Sequence, residues 1–363
     1  MKKSLRLLCL LLCAGFLSAC SGGKIDSAPS PTPTEPPLRP LQDRALPELS
    51  REESFRMLRY MYANRALLAG ERLYCLDYDG AYRPVLADYS LDGGLRRHRI
   101  LVENCVPAYL GLQGERLFYI NQREGGAIES VALDGSDRKT LRPGPCDWLL
   151  VEEDGLCFCD EEGRYRRVAL DGSGETLLMD KPCACPWPMG DALLYQSLED
   201  GRLHLRREAE ETDLCLTEEE ATAPMIWEGR LYYSAGESLH SVDRNGLGAV
   251  RYPVPPLLAP AELLPEANGL RLRGLCRDTA LRQWVAWPED TEGTLQYLPE
   301  RGYRQCDYLD ADYRVETIYD PDGRVRCFLL CDGEGRETVY IGGRVSGAQE
   351  EKQEEKQEEK TDG

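Results

Sequence analysis

The feature of this sequence that most restricts its fold is a strand-forming unit that recurs along most of the chain. The unit is clearest at 114–141, where the apolar run 117–121 leads through Gly125-Gly126 to a second apolar run and an Asp-Gly pair. Short runs of aromatic and β-branched residues separated by glycine pairs or by Asp-Gly are typical of strands joined in tight hairpins. The chain is therefore predicted to consist of β-hairpins.

The unit recurs with a nearly constant period. The residue that opens its aromatic strand is found at Leu73, Leu117, Leu156, Leu193, Leu231, Val285 and Val325. The spacings are 44, 39, 37, 38, 54 and 40 residues. A period near 40 residues with strand content throughout is typical of a propeller blade of four strands. We therefore predict an all-β fold, a single β-propeller of about six to eight four-stranded blades over 70–347, with seven as the best fit.

The longest spacing has two interpretations. It contains the segment 253–269, which is rich in proline and leucine and is predicted to form an inserted loop. Its leucines are either an exposed surface that a partner buries or a cap over the core beneath the loop.

The N-terminus has the features of an export signal. Lys2, Lys3 and Arg6 precede an apolar run at 7–16 that is too short to span a bilayer. Leu-Ser-Ala-Cys at 17–20 follows and resembles the lipobox of bacterial lipoproteins. That resemblance implies a signal peptide at 1–19 and a diacylglycerol on the thiol of Cys20. Two acyl chains hold a protein stably on a membrane. We expect the protein at the extracytoplasmic face of the cell membrane.

Three further segments lie outside the repeat. Residues 20–48 are rich in proline, serine and glycine, which predicts an extended tether. Ser50 and Glu53 have the spacing of a capping box, and a helix is predicted over 49–69, packed on the first blade. Residues 348–363 repeat Glu, Lys and Gln without an apolar stripe, which predicts a disordered acidic tail.

The repeat resembles a known family of propellers. The run 117–121, followed by Ile128-Glu129 and by 133–136, is similar to the YWTD-type repeat of low-density-lipoprotein-receptor-related propellers. It is more similar still to the related propeller domain of unknown function in bacterial lipoproteins. The resemblance covers about 70–343, but no copy contains a complete Tyr-Trp-Thr-Asp. It implies the fold, and it does not imply a receptor-type ligand.

Charge excludes some classes of partner. The formal net charge is −19, and it becomes more negative once the positive leader is removed. Because nucleic acids and anionic lipid surfaces bind positive patches, neither is an expected partner of the folded part. A well-solvated surface explains the charge more simply than an acidic field that steers a ligand.

The cysteines leave several interpretations open. The chain has 15, and several of those in the repeat, Cys75, Cys157 and Cys159, occupy positions where other copies have ordinary core residues. Cys105, Cys146 and Cys183 lie 12, 10 and 10 residues before the leucine of their repeat, at the start of the innermost strand. They are either small core residues, partners in an inter-blade disulfide, or thiolate ligands of a metal near the central channel.

Catalytic motifs are not evident. The 3 histidines, His98, His204 and His240, fall at unrelated repeat positions, without a Ser-centred elbow, a His-Glu-x-x-His motif or a phosphate loop. Trp187, between two prolines, either stacks on a sugar or peptide or anchors a buried loop. No catalytic, cofactor or metal residue is assigned.

Three functions fit these observations. The favoured one is a membrane-anchored propeller that binds a protein or cell-envelope ligand, such as a glycan, without catalysis. The alternative is a propeller enzyme that acts on glycans through paired carboxylates. The third is a purely structural component of the envelope.

Overall fold

The computed structural model describes residues 46–90, 96–207, 212–236, 238–244, 248–253, 258–266, 269–276, 281–287, 290–297, 304–309, 313–319, 325–332 and 337–341. Beyond Tyr252, side chains are described only at 307, 309, 313–315, 330 and 331. Cys20, the signal peptide, the tether up to residue 45 and the acidic tail lie outside the described residues, whereas Leu46, at the end of the predicted tether, is buried and its N–H donates to the Arg244 carbonyl at 2.6 Å. Within them, no helix is long and apolar enough to span a membrane.

The described strands form seven four-stranded antiparallel sheets, and each sheet consists of four consecutive strands. Blades one to four contain β1 (Ala66–Ala69), β2 (Arg72–Tyr78), β3 (Pro84–Ser90), β4 (Arg96–Glu103), β5 (Pro107–Gln113), β6 (Arg116–Asn121), β7 (Ala127–Ala132), β8 (Lys139–Arg142), β9 (Trp148–Val151), β10 (Leu156–Cys159), β11 (Tyr165–Val168), β12 (Thr176–Met179), β13 (Cys183–Met189), β14 (Ala192–Ser197), β15 (Leu203–Arg207) and β16 (Thr212–Cys215). Blades five to seven contain β17 (Thr222–Trp227), β18 (Arg230–Ala235), β19 (Ser238–Asp243), β20 (Val250–Pro253), β21 (Leu258–Glu266), β22 (Gly269–Cys276), β23 (Leu281–Trp287), β24 (Asp290–Tyr297), β25 (Arg304–Tyr308), β26 (Tyr313–Tyr319), β27 (Val325–Asp332) and β28 (Glu337–Ile341).

The sheets are arranged as the blades of a propeller, which confirms the predicted fold class. The first strand of each blade is innermost, and contacts run from β1 to β5, from β5 to β9 and from β1 back to β25. Blades one and seven are therefore neighbours. Among the described strands, no sheet combines strands from the two ends of the chain. Because strands alternate in direction, the hairpins between second and third strands lie at the same end of the propeller as the connections between blades. We call this end the connection face.

A buried polar residue ends the second strand in several blades and explains the hairpin that follows. The Asp160 carboxylate accepts hydrogen bonds from the backbone N–H groups of Glu162 and Arg164, each at 3.0 Å. Asn121 and Ser197 hold the equivalent position, and each accepts from the N–H two residues further on. Short polar side chains favour such turns because they bond to the nearby backbone.

Consecutive blades are joined by a repeated backbone hydrogen bond. The N–H at the start of an innermost strand donates to a carbonyl in the preceding blade, with Cys183 to Gly163 at 2.8 Å and Ala221 to Gly201 at 2.9 Å. Gly163 has a φ of 77°, and an added Cβ would lie 2.8 Å from Leu198 Cδ1. The hairpin therefore requires glycine where it approaches the next blade.

The positions of blades six and seven differ from the prediction. Val285 and Val325 lie on third strands, β23 and β27, whereas the aligned leucines of blades one to five lie on second strands. The segment 253–269 is not an inserted loop, because 258–266 forms β21, the innermost strand of blade six. Its prolines are tolerated because β21 pairs only with β22, and its register shifts after Pro260.

The N-terminal helix, α1, is shorter than predicted and packs elsewhere. It spans Arg51–Met61, and β1 already begins at Ala66, so the propeller starts before residue 70. The predicted capping box is present, since Ser50 Oγ accepts from Glu53 N–H at 3.2 Å and Glu53 accepts from Ser50 N–H at 2.7 Å. The helix does not pack on the first blade. It contacts β9, β13, β17 and β25. Phe55 and Tyr60 of the helix meet the tryptophans of β9, β13 and β17.

Candidate functional site

The central region of the propeller is occupied by side chains of α1. Phe55 meets Trp227 edge to face at 5.0 Å between ring centroids. Tyr60 lies 6.4 Å from Trp148 and 6.0 Å from Trp187. Each of these tryptophans ends or lines an innermost strand and is buried. The chain's own helix therefore covers the aromatic rings that a ligand could otherwise stack on.

Trp187 is an internal anchor rather than a ligand platform. It is 3% exposed, and the Arg56 guanidinium lies 5.9 Å from its ring centroid. Arg56 also donates to the Val151 carbonyl at 2.9 Å, which joins the helix to blade three. Of the two roles predicted for this tryptophan, the structure supports the buried anchor.

A cavity of about 410 Å³ opens on the outer part of blade two, near the connection face. It is lined by Glu124, Ala127, Glu129, Arg138, Thr140, Pro143 and Gly144. Glu124 belongs to the 3-10 turn of the hairpin between β6 and β7, and Pro143 and Gly144 lead to blade three. The site therefore lies where two blades are connected, and Glu124, Pro143 and Gly144 of its lining belong to segments that can change without altering the strands.

The cavity contains an ion pair between the buried Glu129 and Arg138, whose side chain is 39% exposed. Arg138 Nη2 donates to both Glu129 oxygens, at 2.9 and 3.0 Å, and its Nε donates at 3.2 Å. Asn121 Nδ2 also donates to Glu129, at 3.2 Å. The hydrogen bonds to Glu129 raise the pKa of the Arg138 guanidinium. Burial, with the Glu129 charge as a smaller cause, raises the pKa of the Cys105 thiol well above its usual range.

The two carboxylates of this cavity have different surroundings. Glycosidases need one carboxyl group that carries a proton and a second that attacks or activates water. Both oxygens of the buried Glu129 instead accept hydrogen bonds from the Arg138 guanidinium, and the exposed Glu124 is the other carboxylate of the cavity. The rim thus offers one exposed acid, an arginine with a solvent-facing edge and the Thr140 hydroxyl as hydrogen-bonding groups.

Cys105, Cys146 and Cys183 do start innermost strands, as predicted, but the structure does not bring them together. Ala221 holds the equivalent position in blade five, and all four side chains are buried. The Cys146 thiol lies 3.3 Å from Arg142, and the Cys183 sulfur lies 4.0 Å from Cys159. Burial raises the pKa of the Cys146 thiol to about 12.

These cysteines therefore behave as small core residues. All three are free thiols. No group of three or more metal-type ligands among the described residues includes any of them. Such a group does form in blade four, from Asp200, His204 and Cys215.

Two histidines that appeared unrelated in the sequence occupy equivalent positions. His204 is the cross-strand partner of Tyr195, and His240 is that of Tyr233. In both pairs the rings are stacked with centroids 5.4 Å apart. The prediction of unrelated positions was wrong because the hairpins differ in length by two residues. Aligning the tyrosines of the second strands would have revealed the equivalence.

Comparison with known proteins supports the fold alone. No family model matches the sequence, and no curated protein matches it. Many solved structures do. The chain is 12% identical to a prolyl endopeptidase (TM-score 0.57), covering 80% of this chain and 51% of that one. It is 14% identical to a puromycin-hydrolysing peptidase of Mycobacterium tuberculosis (TM-score 0.54), covering 81% and 55%. It is 11% identical to an oligogalacturonate lyase in complex with manganese (TM-score 0.51), covering 79% and 88%.

The chain thus spans about half the length of the two peptidases. At such low identity these similarities carry no substrate or catalytic residue to this chain. They show that the chain is a β-propeller.

Proposed function

We propose that this protein is a membrane-anchored extracytoplasmic lipoprotein with a YWTD-like propeller that binds a protein or cell-envelope ligand without catalysis. The propeller presents the ligand surface on the connection face, around the cavity of blade two. The Leu-Ser-Ala-Cys sequence that ends at Cys20 supports the anchor, and the proline-rich segment after it supports a tether.

One observation carries the proposal of binding: the chain's own helix covers the tryptophans of the innermost strands, which leaves the rim of the propeller as the available surface. The rim cavity combines exposed Glu124 and Thr140 with an ion pair that is already satisfied within the protein. Such a site can form directed hydrogen bonds to a partner without first losing a buried charge interaction.

The anchor is tested by labelling cells with a fatty-acid analogue and separating their membranes. Wild-type protein should carry the label and remain with the membranes. Cys20→Ala should carry no label and either leave the membrane fraction or keep its signal peptide. A labelled, membrane-bound Cys20→Ala protein would refute the lipoprotein assignment.

The ligand surface is tested by photo-crosslinking of the full chain in its native host. A photoreactive residue is placed at Glu124 in one strain and at Glu115 in another. Both positions are exposed in blade two, but Glu115 lies in the hairpin between β5 and β6, at the opposite end of the blade. Binding on the connection face predicts a discrete adduct from position 124 and none from 115. Equal adducts from both, or none from either, would contradict it.

A further inference from the structure

Blade four brings together three side chains that are suited to one metal ion. Asp200 lies in the hairpin between β14 and β15, His204 on β15 and Cys215 on β16. His204 and Cys215 are cross-strand partners. One ligand atom of each of the three residues lies within 4.8 Å of the others. His204 Nε2 is 3.1 Å from Asp200 Oδ2.

The histidine is oriented by a second carboxylate. Its Nδ1 lies 3.2 Å from Asp213 Oδ1, and Asp213 is itself held by Lys181 at 2.5 Å and by the Tyr195 hydroxyl at 2.9 Å. Metal-binding histidines typically donate the other ring N–H to a carboxylate, which fixes the tautomer and points the free nitrogen at the metal. Donation from Nδ1 to Asp213 leaves Nε2 as the metal-binding nitrogen, directed at Asp200.

With Nδ1 donating to Asp213, two hydrogen-bond acceptors face each other at Nε2 and Asp200 Oδ2. An unprotonated ring nitrogen and a carboxylate oxygen both accept hydrogen bonds, so at 3.1 Å they repel unless a proton or a cation lies between them. Lys181 already neutralises Asp213, so one negative charge, that of Asp200, is left for this cation. The thiol of Cys215, which donates to the Thr217 carbonyl at 3.1 Å, supplies a third ligand atom within 4.8 Å of the other two.

We propose that Asp200, His204 and Cys215 form a Zn²⁺ site on blade four, with Asp213 as the carboxylate that positions the imidazole. Sulfur, nitrogen and oxygen ligands together favour zinc, whereas magnesium, calcium and manganese prefer oxygen sites. Zinc bonds of about 2.0 to 2.3 Å place neighbouring ligands roughly 3 to 4 Å apart, so the three atoms need to contract only slightly. Binding releases the thiol proton and leaves a fourth position open to water or to a ligand.

Blade five provides the matched control. His240 has the same stacking on a tyrosine of the second strand, but its partner on β20 is Arg251 where His204 has Cys215. Glu219 lies 3.6 Å from His240 Nε2. A guanidinium in place of the thiol removes one ligand and repels a cation, so this histidine is expected not to bind zinc.

The test uses the full-length protein in detergent, freed of metal by a chelator and then incubated with Zn²⁺. Bound zinc per chain is measured after buffer exchange, and Co²⁺ is substituted to detect thiolate coordination by its absorption. We expect one equivalent in the wild type and in His240→Ala, with cobalt–thiolate absorption in both. Cys215→Ser and His204→Ala should bind at least ten-fold more weakly, and Asp213→Asn about 10 to 100-fold more weakly.

A second readout does not depend on the variants. Zn²⁺ should protect Cys215 from alkylation in the native wild-type protein, whereas Mg²⁺ should not. Circular dichroism of each variant establishes that it is folded. A wild type that retains no zinc, or Cys215→Ser and His204→Ala proteins that bind it as tightly as the wild type, would overturn the proposal.

Discussion

The interface between two neighbouring blades is here called a seam. The seams between blades that follow each other in the chain differ from the closing seam, which lies between blades seven and one. Blades three and four, and likewise four and five, are joined by a backbone N–H and a backbone carbonyl. Blades seven and one are joined through side chains. The Asp307 carboxylate of β25 accepts from Arg65 N–H at 2.7 Å, and Arg59 of α1 donates to the Leu309 carbonyl at 3.0 Å.

This difference teaches how the ring is closed. In some propellers the last blade contains a strand from the other end of the chain. Backbone hydrogen bonds between the strands of that blade then close the ring. The described sheets share no strand in this way. The described contacts between blades seven and one are an apolar cluster, the Asp307 carboxylate and Arg59 of α1. Because a carboxylate and the helix take part, this seam should respond to substitutions in the helix and to pH in ways that the other seams do not.

The largest effect is expected from Tyr60→Ala. Tyr60 is 5% exposed, packs between Trp148 and Trp187, and its hydroxyl accepts from Val151 N–H at 3.4 Å. Removing a buried aromatic ring costs about 3 to 5 kcal/mol, because it leaves a cavity as well as losing burial. Urea unfolding followed by tryptophan fluorescence measures the change. Tyr82→Ala is the control, because Tyr82 is 47% exposed.

A small loss for Tyr60→Ala, within about 0.5 kcal/mol of the control, would show that α1 contributes little to the propeller. The helix would then not distinguish the closing seam from the others, and only the buried Asp307 carboxylate would do so.

The next-largest effect is expected in the way that the free energy of unfolding depends on pH through Asp307 of the closing seam. Burial raises the pKa of Asp307 to about 6, and the hydrogen bond from Arg65 only partly opposes it. When the pKa of a carboxyl group is higher in the folded protein than in the unfolded chain, its protonated form stabilises the fold. This stabilisation is complete below the unfolded pKa of about 3.9 and is lost as the pH rises through 6. Asp307→Asn keeps an oxygen acceptor but does not ionise.

The free energy of unfolding of the variant, relative to wild type, should therefore increase between pH 4 and pH 7 by up to about 3 kcal/mol. Urea titrations at each pH measure the difference. Other titrating groups cancel in this comparison because both proteins contain them. A difference that does not change with pH would mean that the carboxyl is already ionised at pH 4.

The sequence predicted the first five blades because their second strands are apolar runs, and in several of them a polar residue that forms the following turn ends the run. The apolar runs that open at Leu117 and Leu156 end in Asn121 and Asp160, whose side chains bond to the following turn. In blade six the second strand, β22, has no aromatic or β-branched residue, whereas the third strand, β23, contains Trp284, Val285 and Trp287. Val285 was therefore aligned one strand too late, and the innermost strand before it was interpreted as a loop.

The candidate sites were less predictable because they depend on pairs that are distant in sequence or on hairpin length. Glu129 meets Arg138 only once β7 and β8 pair, and no local pattern marks the contact. Ser50 and Glu53 predicted the start of α1, but which blades the helix contacts is set by tryptophans about 100 to 170 residues further along the chain.

A smaller effect is expected at a seam between consecutive blades. Gly163→Ala adds a Cβ 2.8 Å from Leu198 Cδ1 and 3.3 Å from the Cys183 carbonyl oxygen. Gly190→Ala is the matched control, because Gly190 also has a positive φ, of 61°, with no atom within 4 Å of the added Cβ. Crowding should make Gly163→Ala about 1 to 2 kcal/mol less stable than the control in chemical unfolding. Equal losses would mean that only the backbone conformation requires glycine there.

The smallest effect is expected at the N-terminus of the helix that supports the closing seam. In Ser50→Ala the Glu53 N–H loses its acceptor at 3.2 Å, while the bond from Ser50 N–H to the Glu53 carboxylate remains. The loss of a capping side chain costs about 1 kcal/mol. The bond from Ser50 lowers the pKa of Glu53, so the remaining half of the box should weaken as the pH falls through its titration. Ser50→Thr keeps the hydroxyl and should restore most of the stability in urea unfolding at pH 7. If Ser50→Ala is as stable as the wild type, the first turn of α1 contributes nothing to closure, and the helix contributes to the seam through the contact of Arg59 with Leu309.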